Sequence, residues 1–211
     1  MSYGRQSRPA LGAYCARWAW YFCPAVVRRF VDSADPQEIR ASVAHAAASG
    51  VTVGKPAQPE VLLRDVCAFV AGPVVVDTIA TDRDGMLREA RALGAIASNV
   101  VVRLPATAVG IDVVRACAAE RIATALAPGA TPAQALVAAQ AGAAYISGSV
   151  GRVDGVDGTE VMRKTVALLK TYDVTATEVL AGGIRHPSDL IDAALAGAKV
   201  VSVPPAVLRQ L

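Results

Sequence analysis

The chain contains few of the residues that mark several common classes of protein. Of its 211 residues, 5% are aromatic, two are histidine, four are lysine and four are cysteine. The cysteines form no C-x-x-C pair, so the usual spacing of a zinc site is missing; they are Cys15, Cys23, Cys67 and Cys117. We expect no metal and no cofactor, and reduced thiols in a cytoplasmic protein.

An excess of one charge is also missing. The 21 basic and 18 acidic residues leave a net charge of +3, and the basic residues are spread along the chain. This pattern is not typical of a nucleic-acid-binding surface. The apolar run Leu11–Val27 is interrupted by Arg17 and Pro24 and is only just long enough to span a bilayer. We therefore predict neither a nucleic-acid partner nor a membrane span, and a soluble, partly helical extension whose first residues are disordered.

From Arg29 onward, short β-branched runs alternate with stretches rich in alanine and leucine. The runs predict strands at Arg29–Asp32, Val51–Val53, Val74–Ile79, Val100–Leu104, Ile122–Leu126, Ala144–Ser147, Glu178–Ala181 and Val200–Val203. The stretches between them predict helices at Pro36–Ser49, Pro59–Ala71, Arg83–Ala97, Ala108–Glu120, Pro132–Ala141, Thr159–Tyr172 and Pro187–Ala196. Eight strands alternating with helices predict a single (β/α)8 TIM barrel with its chemistry at the carboxyl ends of the strands. A doubly wound sheet is the rival fold, but no G-x-G-x-x-G follows the first strand.

The eighth helix is missing from this pattern. Only Pro204 to Leu211 follow the last predicted strand, which is too short a stretch for a full helix. The first and last strands of a closed barrel are neighbours, and the N-terminal extension has about the right length to cover the gap. We therefore divide the chain into an extension, residues 1–28, and a barrel, residues 29–211, with the extension predicted to replace the eighth helix.

Arg103 lies in an otherwise apolar predicted strand, where an unpaired charge would be costly. Asp32 and Asp77 lie in two other apolar strands and are its candidate partners. If all three side chains point into the barrel, they form an Asp–Arg–Asp cluster in which the arginine lowers the pKa values of both carboxyl groups. Such a cluster could be purely structural, or it could stabilise an enolate while a carboxylate moves a proton.

The order of several motifs resembles the transaldolase and fructose-6-phosphate aldolase family. The similarity is densest in VLAGGIRHP at 179–187, AALAGA at 193–198 and VSVPP at 201–205, and earlier matches include FVDSA at 30–34 and NVVVRLP at 99–105. It implies a class I aldolase-type barrel that makes or breaks C–C bonds of phosphorylated sugars through a lysine Schiff base. Arg103 stands at the position of that lysine, and a guanidinium cannot form the Schiff base.

The resemblance also implies roles for other residues. Asp32 matches the aspartate that handles protons, Thr52 matches a threonine at the barrel mouth, and Asp77 stands in place of a longer Glu or Gln. Ala127 replaces a residue that holds water. Ser149 replaces a bulky aromatic residue, which would enlarge the pocket and suit a substrate unlike fructose 6-phosphate, such as one from secondary metabolism.

The resemblance further predicts a phosphate site. Arg152 and Arg185 match the two arginines that bind phosphate in the family, and Gly183 replaces the serine that assists them. Converging arginines suit a phosphate or carboxylate, although they could instead pair with acidic residues such as Asp157. Ser147 is a further candidate, because its hydroxyl could bind a substrate hydroxyl.

Three functions stay open at this point. The first is an aldolase- or transaldolase-like enzyme on a small, phosphorylated sugar or polyol, working without the usual lysine, by C–C chemistry or a related enolisation or cyclisation. The second is a non-catalytic barrel that binds a sugar phosphate or a partner. The third is a Schiff-base enzyme whose nucleophile is Lys55, which follows the second strand and would be made more nucleophilic by nearby like charge. Homo-oligomers are possible in each case.

Overall fold

A computed structural model describes residues 27–44, 48–153 and 155–211. Eight parallel strands close into a barrel in the order β1, β10, β9, β6, β5, β4, β3, β2, which confirms the predicted TIM barrel. Its strands are β1 (Arg28–Asp32), β2 (Gly50–Gly54), β3 (Val74–Asp77), β4 (Val100–Leu104), β5 (Thr124–Leu126), β6 (Tyr145–Ser149), β9 (Glu178–Gly182) and β10 (Val200–Val203). A two-stranded antiparallel hairpin, β7 (Arg152–Val153) and β8 (Val156–Asp157), follows β6.

Helices follow the barrel strands along the chain and pack around the outside of the barrel. They are α1 (Pro36–Ala44), α2 (Pro59–Phe69), α3 (Arg83–Gly94), α4 (Ala108–Ala119), α5 (Pro132–Ala141), α6 (Gly158–Thr171), α7 (Pro187–Leu195) and the short α8 (Pro205–Leu208). Several begin at polar caps: the side chain of Thr131, for example, accepts from the backbone N–H of Gln134, whose own side chain accepts in return. No helix in the described ranges has the length and apolar character needed to cross a lipid bilayer.

The strands pair in a register that sets which side chains share a level of the barrel. Asp77 on β3 pairs with Arg103 on β4, and Asp32 on β1 pairs with Thr52 on β2. The barrel closes between β1 and β10, where Phe30 pairs with Ser202. Closure therefore brings residues far apart in sequence to neighbouring strands.

Alternation along each strand sorts the interior of the barrel into layers. The middle layer is apolar: Phe30, Val75, Val101, Ala125, Tyr145, Leu180 and Val200 pack together there. Two residues further along these strands, towards the carboxyl ends, most inward positions are polar, among them Asp32, Asp77 and Arg103. The carboxyl end of the barrel, called the mouth below, therefore collects the candidate functional groups above an apolar plug.

Several predicted bounds differ from the structure. β3 ends at Asp77 rather than Ile79, because the backbone N–H groups of Ile79 and Ala80 donate to the carboxylate of Glu89 instead of to a strand. β2 begins at Gly50, one residue before its predicted start, and an added Cβ there would lie 2.6 Å from the ring of Phe30. Glycine is required there because the barrel interior approaches the backbone closely.

Among the described residues, only the short helix α8 occupies the eighth helical position. This agrees with the prediction that the residues after the last strand are too few for a full helix. The extension predicted to complete it falls mostly on residues 1–26, outside the described residues, so its docking and the boundary of the barrel domain stay predictions. β1 begins at Arg28, one residue before its predicted start.

Candidate active site at the barrel mouth

A cavity of about 190 Å³ opens at the mouth, at the carboxyl ends of the strands. Ligand pockets for larger molecules usually occupy about 300–1,000 Å³, so this space suits a small substrate or a fragment of one. Side chains and backbone from six barrel strands and two adjoining loops contribute to its wall: Asp32, Thr52, Arg103, Pro128, Ser147, Gly148, Leu180, Gly182, Gly183 and Ser202.

Arg103 is tied to Asp77 by two hydrogen bonds. Its Nε donates to Asp77 Oδ1, and its Nη2 donates to Oδ2 over 3.0 Å. Their side chains are only 14% and 19% exposed, and the paired register of β3 and β4 holds them side by side. Within the described residues, no acceptor binds Nη1 of Arg103. The bidentate pair thus fixes the guanidinium while leaving N–H donors for the cavity that Arg103 lines.

Asp32 lies at the same mouth, but its carboxylate is not held by a partner among the described residues. No hydrogen bond or ion pair engages its carboxylate within the described residues, and its side chain is exposed in the open cavity. Although solvent reaches Asp32, the barrel wall around its carboxyl group desolvates it and raises its pKa above the ordinary value of 3.8. This effect outweighs the lowering by Arg103, while Asp77 raises the pKa further. The prediction that Arg103 lowers the pKa of this carboxyl group was therefore wrong in its net direction, because desolvation dominates.

Three hydroxyl groups in the cavity wall are buried without a partner. Thr52, Ser147 and Ser202 are 3%, 3% and 2% exposed, and no donor or acceptor reaches their side-chain oxygens within the described residues. Buried polar groups are nearly always hydrogen-bonded, so each unpaired hydroxyl here calls for an explanation. All three line the mouth cavity, where a polar ligand could bind them.

The two rim arginines follow neighbouring barrel strands: Arg152 begins the hairpin strand β7, and Arg185 lies on a loop. Arg152 follows β6, is exposed, and donates from Nη2 to the carbonyl of Gly155 over 2.5 Å. Arg185 follows β9 and is exposed; its backbone N–H donates to Asp189 Oδ2 over 2.7 Å. Asp157, a suggested partner, instead accepts from backbone N–H groups at the start of α6. Neither arginine lines the 190 Å³ cavity, so both lie outside it on the same rim.

Gly183 lines the cavity in a backbone conformation that favours glycine. Its φ is +73°, and an added Cβ would lie 2.6 Å from Ser149 Oγ. A larger residue would therefore strain the backbone and displace the Ser149 side chain. Ser149 itself is partly buried beside Gly183 rather than in the cavity wall.

Lys55 lies apart from these groups. It follows Gly54 at the end of β2 and is exposed, and the wall of the mouth cavity does not include it. The structure thus brings Asp32, Thr52, Arg103, Ser147 and Gly183 together around one cavity. It places Asp77 behind Arg103 and leaves Lys55, Arg152 and Arg185 outside the cavity.

Comparison with known proteins agrees with this architecture. The family model described as Transaldolase/Fructose-6-phosphate aldolase matches residues 58–211. The chain belongs to this family. A probable transaldolase of Rhodospirillum centenum is 40% identical over 190 residues, covering 86% of this chain and 82% of the relative. A probable transaldolase of Caldicellulosiruptor saccharolyticus is 36% identical over 193 residues, covering 88% of this chain and 89% of the relative.

A solved structure shows the fold alone. A mandelate oxidase mutant, described with a monooxide FMN adduct, superposes with a TM-score of 0.61 at 22% sequence identity. The match covers 87% of this chain and 66% of that chain. At this identity the likeness concerns the barrel and not its chemistry.

Sequence reasoning missed part of the cavity wall. Ser202 was not singled out, although a serine inside the apolar strand VVSV is a signal of an inward polar position. Its place beside β1 follows only from closure of the barrel. The other unpredicted wall residues are Pro128, Gly148, Leu180 and Gly182.

Proposed function

We propose that this member of the transaldolase/fructose-6-phosphate aldolase family is an enzyme that acts on a small, phosphorylated keto sugar or polyol by enolisation and C–C bond chemistry. The observation that carries the proposal is the free carboxylate of Asp32, which shares one cavity with the fixed guanidinium of Arg103 and three unpaired hydroxyl groups. A base beside a cationic donor is the pairing that enolisation of a ketone needs.

In the proposed reaction, the substrate carbonyl oxygen accepts hydrogen bonds from Arg103. Asp32 removes a proton from the carbon next to that carbonyl, and the electron pair moves to the oxygen, which becomes an enolate held by the guanidinium. The enolate carbon then attacks the carbonyl carbon of an aldehyde and forms the new C–C bond. The resulting alkoxide takes the proton from the carboxyl group of Asp32, which restores the starting carboxylate.

Asp77 serves this reaction indirectly. Its two hydrogen bonds fix the guanidinium plane of Arg103, so the remaining N–H donors keep one orientation towards the cavity. A donor already in place stabilises a developing negative charge without reorganising during the reaction. Arginine also stays protonated under all ordinary conditions, so its charge does not depend on pH.

The rim arginines suit the phosphate end of such a substrate. Arg152 and Arg185 lie outside the cavity, in the segments that follow the neighbouring strands β6 and β9. A substrate with its ketone near Arg103 could therefore extend its phosphate towards them. The relatives with 36–40% identity carry the name probable transaldolase, which supports a sugar phosphate as the substrate class.

Two other functions remain in competition. Schiff-base chemistry on Lys55 is disfavoured by its place outside the cavity wall. A barrel that only binds is favoured by one observation: the guanidinium of Arg103 is already neutralised by Asp77, as in a structural pair. The free carboxylate of Asp32 argues for catalysis instead.

Borohydride trapping separates these functions. The protein is incubated with dihydroxyacetone, fructose 6-phosphate and short aldehydes, with and without borohydride, and turnover is followed beside peptide mass spectrometry. We expect turnover with no reduced adduct, and equal turnover in Lys55→Arg. An adduct on Lys55 would replace our mechanism with Schiff-base chemistry. Binding without turnover by any donor and acceptor pair would leave a barrel that only binds.

A further inference from the structure

Ser202 and Ser147 lie in the level of the barrel just above the apolar middle layer. Ser202 pairs in register with Phe30, and Ser147 pairs with Leu180, and both partners belong to that layer. Thr52 and Arg103 share this level, because they pair with Val75 and Ala125 of the same layer. Asp32 lies two residues beyond Phe30 on β1, which is about 7 Å further along the strand direction. The two serines therefore lie at the floor of the mouth cavity, where the polar mouth meets the apolar plug.

The floor hydroxyls share their unpaired state with Thr52 in the same cavity wall. Arg103 has a carboxylate partner in Asp77, whereas the oxygens of Ser147 and Ser202 have no partner among the described residues. They are 3% and 2% exposed, so bulk solvent does not reach them freely. Leaving a buried hydroxyl unpaired costs free energy that a hydrogen-bonding ligand would recover.

A buried unpaired hydroxyl elsewhere in the barrel provides a comparison. Thr124 on β5 is fully buried, and its oxygen also has no partner within the described residues. Its neighbour Ala125 points into the barrel, so Thr124 faces the surrounding helices, and it does not line the cavity. The unpaired state alone therefore does not mark a binding group; the position on the cavity floor does.

We infer that Ser202, together with Ser147, forms a floor subsite that binds the uncharged, hydroxyl-bearing end of the substrate. This inference rests on the proposed function and adds an orientation to it. The hydroxyl end of the sugar points down towards the apolar layer, its carbonyl lies beside Arg103 and Asp32, and its charged end points out to the rim. Ser202 is thus a residue that determines specificity for a substrate carrying a hydroxyl at its inner end.

The test compares Ser202→Ala with the matched control Thr124→Val in the full chain. Each variant removes one buried hydroxyl, and binding of dihydroxyacetone and of fructose 6-phosphate is measured by titration and by the ligand-dependent rise in melting temperature. We expect Ser202→Ala to bind both ligands about 10-fold more weakly, since one hydrogen bond to the ligand is lost. Thr124→Val should bind both as wild type does. Without ligand, neither variant should be less stable than wild type, because an unpaired hydroxyl is removed.

Several outcomes would overturn the subsite. Unchanged binding by Ser202→Ala, beside normal binding by wild type, would remove the subsite and leave the proposed function standing. An equal loss of binding in both variants would show a structural effect of core hydroxyls instead. No binding of either ligand by wild type would overturn the proposed function, and the subsite with it. If Ser202→Ala does not fold, Ser202→Cys keeps the shape with a much weaker donor and is judged by the same criteria.

Discussion

Each end of the barrel holds an arginine paired with a carboxylate, and the surroundings of the two pairs differ. At the base, the amino ends of the strands, Arg28 on β1 donates from Nη2 to Glu178 on β9. These side chains are 14% and 15% exposed, much like the 14% and 19% of Arg103 and Asp77 at the mouth. Burial and charge alone therefore do not distinguish the two ends.

The neighbours of each pair make the difference. At the base, Tyr145 packs edge-on against Phe30 with ring centroids 6.1 Å apart, and burial raises the pKa of Tyr145 to about 12, so the phenol stays neutral. At the mouth, no partner among the described residues engages the carboxylate of Asp32 or the unpaired hydroxyls of the cavity wall. The polar groups of the base pair with one another, whereas the mouth keeps polar groups that a ligand could satisfy. These unpaired groups, rather than buried charge, are the basis of the proposed site.

The largest effect should come from removing the free carboxylate. We expect Asp32→Asn to lower the rate of C–C bond chemistry or enolisation about 100- to 10,000-fold, because the proton-transfer group is lost. Steady-state rates with dihydroxyacetone and short aldehydes measure this effect. A variant that retains most of the wild-type rate would assign proton transfer to another group.

The same substitution should not lower stability at neutral pH. Because the folded-state pKa of Asp32 is raised above 3.8, the folded protein binds more protons than the unfolded chain between these two pKa values. The free energy of unfolding that Asp32 contributes therefore falls as the pH rises from the unfolded-state pKa to the folded-state pKa. Asparagine does not titrate, so Asp32→Asn should not show this fall in stability. Thermal unfolding from acid to neutral pH measures it, and a clearly lower melting temperature for the variant at neutral pH would contradict the expectation.

The next effect concerns stability at the base. We expect Glu178→Ala to lower the free energy of unfolding by about 3–5 kcal/mol, because Arg28 loses the carboxylate that it contacts inside the barrel. Chemical denaturation measures the loss, and Glu178→Gln, which keeps an acceptor, should lose less. Turnover per folded molecule should match wild type in both variants. A selective loss of turnover would show that the base takes part in function.

At the rim, the expected effect is selective for the charged end of the ligand. Arg185→Ala should weaken binding of fructose 6-phosphate about 10- to 100-fold, which is the usual range for one hydrogen bond to a charged group. Binding of dihydroxyacetone, which carries no phosphate, should not change. Arg163→Ala is the matched control, because that exposed arginine pairs with Glu160 on α6. Equal weakening of both ligands by Arg185→Ala would argue against a phosphate site.

The smallest effect concerns the loop that carries Arg185. Asp189 accepts from the backbone N–H groups of Arg185 and His186, and these bonds lower the pKa of its carboxyl group. Asp189→Ala should cost about 1 kcal/mol of stability at neutral pH, as the loss of a helix cap does. A lowered folded-state pKa gives stability that is present above the ordinary pKa of 3.8 and is lost as the pH falls through the lowered value. The difference from wild type should therefore shrink in acid; a difference that is constant with pH would contradict this account.

Much of the fold was predictable because the sequence pattern is strong. Strands that are buried on both faces read as continuous apolar runs, and the bounds of Val100–Leu104, Pro132–Ala141 and Val200–Val203 agree with the structure. The hairpin after β6 was missed because its two-residue strands carry no periodic signal. The start of β2 at Gly50 was missed because a glycine between a helix and a strand suits either a helix end or a close approach inside the barrel.

Site residues could be predicted where a polar residue stands out within a single apolar strand. They were harder to predict where closure of the barrel brings distant strands together. Asp77 and Arg103 were paired correctly from their places in apolar strands, but the net direction of the pKa shift of Asp32 was not, because it depends on desolvation by the folded wall. The place of Ser202 in the cavity wall could not be predicted, because it depends on the pairing of β10 with β1 when the barrel closes. Gly183 stands where the family has a serine, and its positive φ, which favours glycine, was not evident from the sequence.

The most direct measurement is hydrogen–deuterium exchange of dihydroxyacetone in D2O, followed by proton NMR. Exchange reports removal of a proton from the carbon beside the ketone and needs no acceptor aldehyde. We predict that wild type and Lys55→Arg catalyse exchange at similar rates and that Asp32→Asn does not. Exchange that persists in Asp32→Asn but disappears in Lys55→Arg would contradict an enolisation based on Asp32 and Arg103. It would instead support a Schiff-base mechanism on Lys55.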